Sequence, residues 1–261
     1  MPATLTAESL SIRRGAQTVL EAVDLVLAAG DRLGVVGPNG IGKSTLLMSL
    51  AGSIRPDAGS VAVTPPMATV GYLPQESERS DVETVREFLA RRTGVAAADA
   101  ELTASTHALA AEQPGATDRY STALDRWTSL GAADFEARVG DVLADLGTSE
   151  SLLGSTMGSL SGGEAARIAL ASLLLSRFDV LLLDEPTNDL DLAGLERLER
   201  WILSIDVPVA LVSHDRAFLS RVITGVVEID HHSHRATRIN GGWDAFVEER
   251  AHARRRAQER Y

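Results

Sequence analysis

The chain has 261 residues, 44% of them hydrophobic and 23% charged, the balance expected of one large globular domain or of a domain with a subdomain. A net charge of −11 argues against a surface built as a nucleic-acid glove, and the lack of cysteine excludes disulfides and thiolate metal sites. The first ten residues carry no basic-then-apolar leader pattern, and the longest apolar stretch, 168–183, is broken by Arg177 and Asp179. That stretch is too short and too charged to span a bilayer, so the expectation is a cytoplasmic chain with no transmembrane segment.

Residues 4–36 alternate apolar and polar positions with turn signals at Arg14-Gly15 and Ala29-Gly30-Asp31, which predicts short strands in hairpins. The apolar run Arg32-Leu33-Gly34-Val35-Val36 then reads as the first buried strand. Next comes Gly37-Pro38-Asn39-Gly40-Ile41-Gly42-Lys43-Ser44-Thr45, followed by the helical run Leu46 to Ala51. The nine residues match G-x-x-x-x-G-K-[ST] at every fixed position, in the strand–loop–helix context that the motif requires. The glycines let successive N–H groups converge on one hollow in front of a helix N-terminus, a place suited to phosphate. Lys43 is expected to reach the β- and γ-phosphates and Ser44 to hold Mg²⁺.

Short strands are predicted over 60–63 and 69–73, ending at Pro74-Gln75. From about 80 to 158 the character changes to a helical insertion. Val85, Phe88 and Leu89 fall on one helical face, as do Phe135, Val139, Val142, Leu143 and Leu146, with a break at Gln113-Pro114-Gly115. After it, helices over 164–176, 193–205 and 216–222 alternate with wholly apolar strands over 180–183 and 207–212, and a hairpin over 225–239 closes the pattern. Wholly apolar strands between helices argue for a parallel sheet covered on both faces. The tail from Gly241 reads as one charged helix with arginines at 250, 254, 255, 256 and 260, and the chain is expected to continue beyond it.

Two further stretches carry chemistry. Val180-Leu181-Leu182-Leu183-Asp184-Glu185 delivers two adjacent carboxylates to the end of a buried strand, where open α/β folds place their ligands. Asp184 is expected to hold Mg²⁺ opposite Ser44, and Glu185 to orient or deprotonate an attacking water; alternation along a strand would turn them to opposite faces. Leu160-Ser161-Gly162-Gly163-Glu164 has two readings: a capping box serving stability alone, or a helix N-terminus offered to a phosphate. His231-His232-Ser233-His234 reads as a polar hairpin loop rather than a metal site.

In this order, the phosphate loop, Leu160–Glu164 and Asp184-Glu185 resemble the nucleotide-binding domain of the ATP-binding-cassette (ABC) superfamily. Gln75 in Tyr72-Leu73-Pro74-Gln75-Glu76 matches its glutamine loop, Asn188-Asp189-Leu190-Asp191 its D-loop, and Ser213-His214-Asp215 its histidine switch. The resemblance runs from about residue 5 to 240. It implies an α/β P-loop NTPase fold: an ABC-type parallel sheet core with an N-terminal antiparallel β subdomain and a helical subdomain. It also implies an ATPase in which two cassettes pair head to tail. Gly37 to Thr45, Gln75, Asp184, Glu185 and His214 would surround the triphosphate, with Ser44, Gln75 and Asp184 on Mg²⁺. Ser161 and Gly163 would arrive from the second cassette. Where the family stacks the base on an aromatic ring, the matching residue here is Arg14, and no aromatic precedes Tyr72.

Glu185-Pro186-Thr187-Asn188-Asp189-Leu190-Asp191 further resembles the EPTN-x-LD form of the ABC-F subfamily, two cassettes in one chain without a membrane domain. The tail from Gly241-Gly242-Trp243 resembles the start of that subfamily's interdomain linker. The implied partners are a second cassette and the ribosome with its RNA, in translation or antibiotic resistance. The alternatives are the ATPase subunit of a transporter with a separate permease, and a non-hydrolysing scaffold module.

Overall fold

A computed structural model describes residues 2–75 and 80–258, with the side chains of 253–258 left out of the description. The described residues divide into two compact units.

The first unit comprises Met1–Gln75, Phe178–Asn188 and Leu195–Tyr261. Its chain opens with strands β1 (Thr4–Arg14) and β2 (Gln17–Leu27), one antiparallel hairpin to which β4 (Ala58–Thr64) adds on the β1 side. The alternation is interrupted where Ser9 and Ala22 take positive φ, 48° and 46°. The hairpin therefore holds two long irregular strands where the sequence pattern suggests several short ones. The second sheet has six strands. Parallel β5 (Val70–Leu73), β6 (Val180–Asp184), β7 (Val209–Val212), β3 (Arg32–Val36) and β8 (Gly225–Ile229) lie in that spatial order, and β9 (Ala236–Asn240) pairs antiparallel with β8 at the edge. β6 and β7 are buried at every position, which explains why they are apolar without alternation. β7 begins at Val209 rather than at 207. Pro208 has no N–H to donate to the ladder.

Helix α1 (Lys43–Leu50) leaves the phosphate loop and buries Leu46, Leu47 and Leu50. They join Leu5, Leu10, Leu20 and Leu27 of the hairpin and Leu33, Val180, Leu182 and Val212 of the parallel sheet in one core cluster. Each such leucine contributes roughly 1.5–3 kcal/mol by leaving water, so the core that fixes the sheets also fixes the start of α1. Gly71 on β5 shows how close the packing is: a Cβ there would stand 2.2 Å from the Phe178 ring. Helix α8 (Arg216–Val222) follows β7, and α9 (Gly242–Gln258) follows β9. α9 is bound to the sheet unit in its first turns. Phe246 is buried, and Arg250 pairs with Glu228 of β8 at 2.5 Å. The other arginines of the cluster read from the sequence, at 254, 255, 256 and 260, have side chains outside the described residues.

The second unit comprises Glu76–Arg177 and Asp189–Gly194. It is wider than the 80–158 insertion expected, because it takes in helix α6 (Gly162–Leu175) and the start of α7 (Leu192–Ser204). Its other helices are α2 (Val85–Arg92), α3 (Val95–Ala110), α4 (Ala116–Ser129) and α5 (Phe135–Asp145), with short 3-10 turns between α5 and α6. Val85, Phe88, Leu89, Phe135, Val139, Leu143 and Met157 are buried with Ile168 of α6. α6 carries buried residues nearly all along its length, so it belongs to this helical core as much as a strand-flanking helix would to a sheet. The break at 113–115 separates α3 from α4 as a helical hairpin. No helix among the described residues is long and apolar enough to cross a membrane.

Candidate functional site

The phosphate loop spans from the end of β3 to the start of α1. Gly42 stands immediately before the helix with φ 113°, and a Cβ there would lie 2.7 Å from Val19 of β2. Only glycine combines that backbone with that neighbour. No side chain caps α1, so the N–H groups of its first turn are left for a ligand. Lys43 Nζ donates back to the carbonyls of Gly37 at 3.0 Å and Pro38 at 3.1 Å. Burial holds its ammonium below the usual lysine range, against the pull of Glu185 and Asp184.

Asp184 ends β6, opposite Val212 of β7, with 2% of its surface exposed. The Tyr72 hydroxyl donates to its Oδ2 at 3.4 Å, whereas its Oδ1 is buried with no hydrogen-bond partner among the described residues. Burial pushes this carboxyl up, and Ser44, Tyr72 and Lys43 oppose that push. A buried carboxylate oxygen with nothing bound to it costs folding free energy unless a cation completes it. The donor set fits a hard divalent ion such as Mg²⁺: a carboxylate, the Ser44 hydroxyl and the Gln75 side chain on one cavity.

Glu185 departs from the strand. Its φ is 51°, in the left-handed region, and its N–H donates to the Val212 carbonyl at 2.9 Å. The alternation expected to send Asp184 and Glu185 to opposite faces ends at Asp184, and both residues line the same cavity. The Glu185 carboxylate is 5% exposed and accepts from the His214 backbone N–H at 3.1 Å, with His214 Nε2 3.2 Å away. His214 is otherwise exposed. The Thr187 and Ser213 hydroxyls bond at 2.8 Å and tie the two strand-end turns together.

The cavity has a volume of about 450 Å³ and gathers Asn39, Gly40, Gly42, Lys43, Ser44 and Thr45 with Gln75, Asp184, Glu185, His214 and Arg14. Gly37, Pro38 and Ile41 of the same loop are not among the residues lining it; Ile41 is buried at 5% exposure and Pro38 is exposed. Gln17, Val19, Met48 and Val212 also line the cavity and Tyr72 braces Asp184. Sequence reading left these out, since nothing in their type or spacing marks them and only the hairpin and sheet topology brings them in.

The remaining predicted residues belong mainly to the second unit. Ser161 is the N-cap of α6, and its hydroxyl and backbone N–H both donate to Glu164 Oε2, at 2.6 and 2.9 Å. The capping-box reading of Leu160 to Glu164 is thus realised in geometry, and those bonds hold the Glu164 carboxyl below its usual range. Asn188 donates its N–H to the Glu185 carbonyl at 3.1 Å within the first unit. In the second unit Asp189 has φ 59°, and Asp191 accepts from the Gly194 N–H at 2.8 Å and lies 3.7 Å from Arg167. Asp230 closes the His231–His234 loop, its Oδ1 accepting from the His232 and Ser233 N–H groups at 3.1 and 2.8 Å.

Comparison with known proteins decides the family. The model for the ABC transporter family matches residues 20–188. The chain belongs to the ABC transporter family. This ABC cassette is 36% identical over 266 residues to the tylosin resistance ATP-binding protein TlrC of Streptomyces fradiae, covering 98% of the chain and 47% of that protein. It is 34% identical over 251 residues to the energy-dependent translational throttle protein EttA of Mycobacterium tuberculosis, covering 94% of the chain and 44% of that protein. ABC transporter F family member 5 of Arabidopsis thaliana is 33% identical over 223 residues, 82% of the chain and 32% of that protein. The cassette therefore spans about half or less of these relatives. A solved structure, that of an ATP binding subunit of an ABC transporter, shares its fold with a TM-score of 0.69 at 22% identity, covering 95% of this chain and 93% of that one.

Proposed function

We propose that this cassette binds and hydrolyses ATP with Mg²⁺ as the N-terminal half of a soluble, cytoplasmic two-cassette ABC-F protein that acts on the ribosome, in translation or antibiotic resistance. The observation that carries the ATPase reading is the convergence on one cavity of an uncapped helix N-terminus, Lys43, the unpartnered Asp184 Oδ1 and the Glu185–His214 pair. The loop N–H groups and Lys43 bind the β- and γ-phosphates. Ser44, Asp184 and Gln75 would hold Mg²⁺, which when bound would neutralise charge on the phosphate oxygens. Glu185 takes the proton of the attacking water, whose oxygen bonds to the γ-phosphorus as the bond to the β–γ bridging oxygen breaks, leaving ADP and phosphate. His214, already against Glu185, orients the carboxylate and senses the γ-phosphate. Ser161 and Gly163 serve the site of a second cassette, while Asn188 to Asp191 lie at the pairing surface.

The ribosomal part rests on the EPTNDLD run, on the linker-like α9, and on relatives whose names speak of tylosin resistance and of a translational throttle. Co-sedimentation of the full-length Glu185→Gln protein with ribosomes tests it. ATP-dependent retention on ribosomes is expected. A protein that binds ATP and stays in the supernatant would overturn the ribosomal reading.

A further inference from the structure

Glu185 and His214 stand on separate turns, one after β6 and one after β7. The first turn runs over 185–188 and is closed by the Asn188 N–H donating to the Glu185 carbonyl at 3.1 Å. The second is the run Ser213-His214-Asp215, in which the Asp215 N–H donates to Ser213 Oγ at 3.1 Å. The described bonds that join the turns are of two kinds. One kind runs through Glu185 itself: its N–H donates to the Val212 carbonyl, and its carboxylate accepts from the His214 N–H. The other is the hydrogen bond shared by the Thr187 and Ser213 hydroxyls at 2.8 Å. Ser213 is buried and Thr187 half-buried, so water competes little for that bond. The His214 side chain, by contrast, is 63% exposed. An imidazole so exposed takes its place from the backbone that carries it.

We infer that Thr187 and Ser213 are positioning residues for hydrolysis: their hydroxyl pair holds the two turns in register, so that the Glu185 carboxylate stays within reach of His214 and of the attacking water. The inference rests on the reading of Glu185 as the base. Glu185 does not hold itself in place, because its φ of 51° is a backbone state that the surroundings must enforce. Both of its carboxylate oxygens face the second turn, Oε2 at 3.1 Å from the His214 N–H nitrogen and Oε1 at 3.2 Å from Nε2. An outward swing of 213–215 would carry both contacts away together. The Thr187–Ser213 bond opposes that swing, since Thr187 follows Glu185 on one turn and Ser213 immediately precedes His214 on the other. Neither Thr187 nor Ser213 is among the residues lining the cavity, so deleting a hydroxyl takes no contact from the nucleotide. It acts through Glu185, because a base works only within hydrogen-bond reach of the proton it takes.

The test uses the full chain at a concentration where its ATPase rate per molecule no longer rises. Thr187→Val keeps the side-chain shape and deletes the hydroxyl. It is expected to slow turnover by about tenfold to a hundredfold, while affinity for ADP with Mg²⁺, read by calorimetry, stays within about twofold of wild type. Thr187→Ser keeps the hydroxyl and should restore turnover. Ser213→Ala should be at least as slow as Thr187→Val, and adding Thr187→Val to it should change the rate by less than about twofold, because the bond is already gone. Four results would overturn the inference and leave Glu185 as the base: wild-type turnover in Thr187→Val beside a slow Glu185→Gln, a Thr187→Ser protein as slow as Thr187→Val, the same loss from Thr187→Val with and without Ser213→Ala, or a loss of ADP affinity that matches the loss of turnover. Wild-type turnover in Glu185→Gln would overturn the reading of Glu185, and this inference with it.

Discussion

Glu185 sits in left-handed backbone at a position that is not glycine, an arrangement that costs of order 1–3 kcal/mol and persists where the surroundings enforce it. Here the Val212 carbonyl and the His214 N–H hold it. Glu185→Gln keeps that shape and removes the carboxylate proposed as the base. It should leave ATP affinity within a few-fold of wild type while lowering turnover by about 10²–10⁴, the usual worth of a general base; calorimetry and phosphate release together check this. Asp184 makes a different prediction. Its unpartnered Oδ1 is a cost in the metal-free chain. Asp184→Asn should therefore raise the unfolding temperature in chelator, by about 2–4 °C for each kcal/mol relieved. Mg²⁺ with ATP should stabilise the wild type and not the variant. A variant that unfolds lower in chelator would show that Asp184 is already satisfied. At this scale the sequence was highly legible, because loop, carboxylates and histidine come as contiguous motifs. Gln17, Val19, Met48 and Tyr72 were not, since their place depends on which strands become neighbours.

The elements that were easiest to read are those with one environment along their whole length. β3, β6 and β7 are apolar because both faces are covered, and α8 is bounded by the Asp215 cap, which accepts from the Phe218 N–H at 3.0 Å. The hairpin β1–β2 was harder, because positive φ at Ser9 and Ala22 breaks the alternation that a strand leaves in sequence. In the helical unit α2 opens on a full capping box between Thr84 and Glu87. Thr84→Ala should cost about 1 kcal/mol of stability, as cap losses do, without altering nucleotide affinity. The Thr84 backbone N–H and hydroxyl hold the Glu87 carboxyl below its usual range. A carboxylate with a lowered folded value stabilises fully above the ordinary glutamate range and loses that contribution as pH falls through the lowered value. The gap between wild type and variant in thermal unfolding should therefore narrow in acid. A gap that widens in acid would contradict the cap.

Across the whole molecule, two units are joined by a chain that passes from one to the other at Gln75, Arg177, Asn188 and Gly194. Order of elements was readable from alternating strand and helix patterns, but the allocation of α6 was not, because its sequence neighbours belong to the sheet and its buried face to the helices. The central claim at this scale is that the cavity holds only part of a working site, with Ser161 and Gly163 supplied by a second cassette. The direct measurement is the ATPase rate per molecule of this chain as a function of its own concentration. The account predicts a rate that falls on dilution, as pairing is lost, and that is restored by adding Lys43→Ala chains, whose Ser161 is intact. A rate that stays high and flat down to the lowest concentration would contradict it, and would mean that one chain completes the site alone.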